Sequence, residues 1–226
     1  MEHSSKQYEQ ELEELRGNVL AMGGLVEAQL TRAIEAIETG DAELIAAVVR
    51  EEKKVNVMQV EADRLALSII AKRQPAAIDL RQIVCSIQAT TDLERMGDEI
   101  KRVATLAQQF QTAERLAALR LNEVRHLADL AREMLKDTLD AFARLDVVAA
   151  GEVIGRDAAV DDEYTRIMRL LVSYMSEDPR TISAGIDVAF AAKALERVAD
   201  HSKNIAEYVI YIVQGNDPRH SSKPEA

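Results

Sequence analysis

The chain has 226 residues, enough for one large domain or two of about 110 residues that each bury a core. Apolar residues make up 47%, which excludes a disordered chain, while 9 Gly, 4 Pro and no Trp beside abundant Ala, Leu, Glu and Arg favour an all-α fold. A net charge of −11 argues against nucleic-acid binding and against a polybasic membrane anchor.

In chain order, a first helix is expected over about Tyr8 to Glu38, where Leu12, Leu15, Val19, Met22, Val26, Leu30, Ala33 and Ile37 recur at intervals of three and four. Gly40 suits the C′ position and Asp41 the next N-cap. A second helix runs to about Arg73 with Leu44, Val48, Val55, Met58, Ala62, Leu65 and Ile69 facing inward, and Pro75 breaks it. The third spans about Ala76 to Phe110. The fourth covers about Glu114 to Arg144, with Leu127, Leu130, Met134, Leu135, Leu139 and Phe142 as its apolar positions. The fifth ends near Glu177 before Asp178-Pro179, and the sixth runs from Arg180 to Gln214, closed by Gly215. Residues 216–226 read as a polar tail. The N-terminus lacks the apolar core of a signal peptide and no run is long enough to span a membrane, so a cytoplasmic protein is expected. Cys85, between Val84 and Ile87 in its apolar neighbourhood, is expected to be a small buried residue.

This punctuation repeats. Asp41 matches Asp146, Pro75 matches Pro179, and Leu93-Glu94-Arg95-Met96-Gly97-Asp98 matches Leu195-Glu196-Arg197-Val198-Ala199-Asp200 at an offset of 102 positions. Long helices with short loops pack antiparallel, so the chain is expected to hold two pseudo-symmetric three-helix bundles, residues 1–111 and 112–215.

Helical periodicity turns Glu94 and Asp98 away from the stripe of Leu93, Met96, Ile100, Val103 and Ala107. Glu196 and Asp200 are turned away from Leu195, Val198, Ile205, Val209 and Ile212 in the same manner. The acids are therefore expected on an outer face of each bundle. The preceding helix offers partners: Glu52, Asn56, Gln59 and Asp63 on one side of the second helix, Asp157, Asp161, Tyr164 and Met168 on the fifth. Converging carboxylates repel one another unless a cation joins them, and oxygen donors favour iron, manganese, magnesium or calcium, and zinc less typically. A solvated, metal-free helix face is the competing reading. A di-iron bundle enzyme would need two inward Glu-x-x-His motifs, and only Glu123–His126 fits that spacing. His126 reads as a surface residue. His201 points about 100° from Asp200 on a helix, which suits an outer-shell or non-ligand role.

The two signatures, with Asp79-Leu80-Arg81, Arg73-Gln74-Pro75 and the run from Leu195 to Val209, resemble those of PhoU proteins from about Tyr8 to Gly215. The resemblance implies a pseudo-symmetric pair of three-helix bundles carrying multinuclear iron or zinc clusters. It implies a non-enzymatic regulator of phosphate homeostasis that links the ATPase subunit of a phosphate ABC transporter to a sensor histidine kinase. Such proteins are peripheral to the membrane through partners and commonly homodimeric. Carried across by position, the implied metal ligands are Glu52, Asn56, Glu94, Asp98, Asp157, Asp161, Glu196 and Asp200. Asn56 departs from the acid expected there, which makes the first cluster the weaker of the two. Ala199 stands where the first repeat has Gly97.

Overall fold

A computed structural model describes residues 2–111 and 121–216, with side chains over 6–107 and 122–216. The helices are α1 (Glu2–Thr39), α2 (Ala42–Arg73), α3 (Ala77–Gln111), α4 (Leu121–Arg144), α5 (Val147–Glu177) and α6 (Ile182–Gln214), with a short 3-10 turn at Pro179–Thr181 before α6. The two expected bundles are present, all helical. The expected boundary near Thr112 and the expected start of α4 at Glu114 lie outside the described residues. α1 begins six residues earlier than the apolar stripe predicts, because that stripe starts only where α1 meets the rest of the bundle.

The ends form as their residues dictate. Asp41 accepts a hydrogen bond from Glu43 N at 2.8 Å, and Asp146 accepts from Val148 N at 3.0 Å and Ala149 N at 3.1 Å. Gly40 closes α1 at φ 66°, a left-handed conformation that glycine adopts without a Cβ clash. Its counterpart Leu145 takes the same conformation, φ 51°, held there by packing against the core.

The most extensive helix contact joins the repeats, α3 against α6. Arg81 Nε, early in α3, donates to the carbonyl of Ile212, late in α6, at 3.1 Å, so the two run antiparallel. α2 flanks α3 and α5 flanks α6, giving a layer in the order α2–α3–α6–α5 with α1 and α4 behind it and touching each other. One apolar cluster draws on all six helices. Leu15, Ala62, Ala66, Ile69 and Ile83 form a smaller cluster at the far end of the first repeat. Cys85 is buried in the main core as expected, as are the inward stripe of α6 and that of α4 apart from the half-buried Leu130.

Two acid faces as the candidate functional site

Glu94 and Asp98 on α3 meet Glu52 and Asn56 on α2. Asn56 Nδ2 donates to Glu52 Oε1 at 2.7 Å. Lys101 Nζ lies 3.3 Å from Glu52 Oε2 and 3.7 Å from Asp98 Oδ1, so one ammonium joins the two helices. Burial raises the pKa of Glu94, and the charges of Asp98 and Glu52 raise it further. The carbonyl oxygen of Asn56 is buried without a hydrogen-bond partner.

The second repeat builds the same arrangement from α5 and α6. Lys193 Nζ sits 2.6 Å from Oε1 and 2.5 Å from Oε2 of Glu196, and 5.3 Å above the centre of the Tyr164 ring. Lys203 Nζ donates to Asp157. Burial raises the pKa of Asp200, followed by the charges of Glu196 and Asp157, with a smaller contribution from Asp161. The eight expected residues therefore gather as two sets of four. The second has four carboxylates where the first has three and an amide, the asymmetry expected from Asn56.

Two features differ from the sequence expectation. Glu52 and Glu196 are only 5% and 8% exposed and do not lie on the open face. They sit in the groove where the two helices of each hairpin meet, and each is neutralised there by a lysine. Asp98 and Asp161 do face solvent. Among the described residues, no three His, Cys, Asp or Glu side chains converge closely enough to enclose a metal ion. The ammonium groups occupy the space between the acids. Lys101 and Lys203 stand three residues after Asp98 and Asp200, so the spacing that found the acids also carried the lysines.

The donor set itself fits a hard cation. It offers carboxylates whose charges oppose one another in partly buried positions, and an unpartnered buried carbonyl on Asn56. A cation there would have to displace a lysine.

His201 occupies a place that wheel geometry does not reveal. It is buried and turned across the seam between repeats, where its Nδ1 is 2.8 Å from Asp92 Oδ1. A carboxylate accepts, so the imidazole carries its hydrogen on Nδ1. The Tyr208 hydroxyl donates to Asp92 Oδ2 at 2.8 Å, and Asn204 Nδ2 lies 3.4 Å from Oδ1. Asp92, 3% exposed, thus accepts from three side chains of the other repeat. His126 is exposed, as expected.

The PhoU domain family matches this chain twice, over residues 19–107 and 124–209. The chain belongs to the PhoU family. It is 44% identical to the phosphate-specific transport system accessory protein PhoU homolog of Pseudomonas putida, over 96% of this chain and 85% of that protein. It is 40% identical to the PhoU accessory protein of Escherichia coli, over 96% of this chain and 90% of that one. A crystal structure of PhoU from Pseudomonas aeruginosa superposes with a TM-score of 0.88 at 43% identity, covering 92% of this chain and all of that one. The repeat boundaries of the PhoU matches fall on either side of the α3–α4 connection. No helix among the described residues is long and apolar enough to cross a membrane.

Proposed function

We propose that this PhoU-family chain is a negative regulator of phosphate uptake and of the phosphate-starvation response. It works in the cytoplasm as a homodimer, coupling the ATPase subunit of the phosphate ABC transporter to a sensor histidine kinase. The observation that carries the reading is near full-length similarity to proteins named as accessories of the phosphate-specific transport system. The role is regulatory and involves no catalytic step of its own.

The acid faces are read as cation sites. Asp157, Asp161, Glu196 and Asp200 would hold metal in the second repeat, and Glu52, Asn56, Glu94 and Asp98 in the first, with iron or zinc the family expectation. A bound cation would cancel the charge of the cluster and free Lys193, Lys203 or Lys101 from its carboxylate partner. The second face is the stronger candidate because all four of its donors carry charge. The alternative reading is a metal-free adaptor in which Lys101, Lys193 and Lys203 serve as permanent counterions of the acids, as their ion pairs allow.

Deleting the gene should switch on phosphate-starvation transcription in phosphate-rich medium, and continued repression would refute the regulatory reading. Elemental analysis of protein purified without chelator tests the sites. Glu196→Ala with Asp200→Ala should lower bound iron or zinc while the helical circular dichroism stays intact. Metal content unchanged by the pair would remove the second face from the assignment.

A further inference from the structure

Gln29 is an uncharged polar side chain in an apolar core. It lies on α1 among Val26, Leu30 and Ala33 and is fully buried with them. Its Nε2 donates to the carbonyl of Val48 on α2 at 3.1 Å, one turn before Glu52. The helix already gives that carbonyl an amide partner, so the bond is an extra one. The other end of the side-chain amide, Oε1, is buried with no hydrogen-bond partner. An acceptor left in that state costs about 1–3 kcal/mol and calls for a reason.

The position of Oε1 supplies one. A Cβ on Gly97 would stand 3.4 Å from it and 3.5 Å from Val55 Cγ1, so the oxygen lies against α3 in the turn between Glu94 and Asp98. Val48 and Val55 flank Glu52 along α2, and the amide therefore stands on the core side of the groove that holds the buried Glu52. Asn56 Oδ1, on the same face, is a second buried carbonyl oxygen without a donor. Among the described residues no three His, Cys, Asp or Glu side chains enclose an ion, so an enclosure at this face has to draw on amides, and Asn56 and Gln29 supply them. The second repeat is built otherwise. With the caps Asp41 and Asp146 aligned, Met134 takes the place of Gln29 and Asp161 that of Asn56. The second face keeps the fourth charge and has a buried thioether behind it; the first has lost that charge and has a buried carbonyl instead.

We propose that Gln29 Oε1 is a donor to the cation of the first acid face, reaching it from the core side beneath Glu52, and that it makes this face selective for a hard divalent ion of the manganese, magnesium or calcium class. This rests on the reading of the acid faces as cation sites and adds to it a fifth donor and a difference in selectivity between the repeats. Exchanging a carboxylate for two amide carbonyls trades charge for coordination number. Hard cations take many neutral and charged oxygens together, so they gain by the exchange. The second face, with no carbonyl behind it, keeps the family expectation of iron or zinc.

The test uses the full-length chain carrying Glu196→Ala/Asp200→Ala, so that the first face is read by itself, stripped with chelator and then dialysed free of it. Mn2+ is the probe, followed by the loss of the free-ion signal in electron paramagnetic resonance. Mn2+ should bind this parent, and adding Glu52→Ala/Asp98→Ala should abolish the binding. Gln29→Met, which installs the residue of the second repeat, should weaken Mn2+ binding by about 10- to 100-fold. The metal-free Gln29→Met protein should melt no lower than its parent, because Met fills a similar volume and removes an unpaired acceptor. If the parent binds no Mn2+ that depends on Glu52 and Asp98, the cation reading of this face fails and takes the inference with it. Acid-dependent binding that Gln29→Met retains overturns the inference alone and leaves Oε1 to a buried water. A lower melting temperature with Mn2+ affinity unchanged would make Gln29 a purely structural residue, and overturns it as well.

Discussion

At the scale of single residues, charge placement decides more here than charge number. Glu11 on α1 accepts from Arg73 Nε and Nη2, both at 2.9 Å, and so pins the end of α2 to the first helix. The hydrogen bonds from Arg73 lower the pKa of Glu11. The folded value lies below the unfolded one, so the pair stabilises the fold above the ordinary glutamate pKa of about 4.3 and stops doing so as pH falls through the folded value. Glu11→Gln should therefore melt below the wild type at pH 7, with the gap closing in acid. A gap independent of pH would mean that the effect is not the ion pair. Lys101 and Lys203 were within reach of the sequence, since each follows its aspartate by three positions. Which carboxylate each would meet was not, because Glu52 and Asp157 lie on another helix and only packing brings them near.

At the scale of helices, two adjacent glycines on α1 separate propensity from packing. A Cβ on Gly23 would come within 2.3 Å of Leu139 Cδ2 on α4, whereas one on Gly24 would meet nothing within 4 Å. Gly24→Ala should stabilise the protein by about 0.5–1 kcal/mol through helix propensity alone. Gly23→Ala gains the same propensity but drives Leu139 from its place, at a cost of about 1–3 kcal/mol, for a net loss of about 1 kcal/mol. In a chain of this size each kcal/mol moves Tm by about 2–4 °C, so thermal melts of the two variants should shift in opposite directions. The helices themselves were legible in sequence. Asp41 and Asp146 cap where they were expected, and the α2 and α5 breaks fall at their prolines. The approach of α1 to α4 was not legible, because a buried glycine and an exposed one read alike until the neighbouring helix is in place. Burial of Glu52 and Glu196 escaped for a related reason: a wheel shows where one helix points and omits the helix beside it.

At the scale of the whole molecule, both repeats share one core, and Asp92 is a buried polar fastening between them. Asp92→Ala would take from the buried His201 and the Tyr208 hydroxyl the carboxylate to which both donate, at about 1–3 kcal/mol for each lost bond. A loss of about 3 kcal/mol in unfolding free energy is expected, read as a lower denaturant midpoint at unchanged m. Much of it should be recovered when His201→Leu is added, because the removed partner can no longer be stranded. Additive losses would show that the two side chains act separately. Asp92 and His201 lie 109 positions apart and belong to no local pattern, so only the fold could join them.

The same seam also decides which halves can be combined. By the repeat offset, Asp92 corresponds to Ala194 in the second half, and His201 corresponds to Glu99 in the first. Two first halves joined through α3 would set Asp92 against Glu99, two acids taken out of water together. Two second halves would set Ala194 against His201, removing the carboxylate that His201 meets. The halves look alike in outline, yet each is now fit only for the other. The halves resemble each other by symmetry, but four diverged positions make the seam one-way: a chain rebuilt from two copies of either half would lose the buried bond between Asp92 and His201.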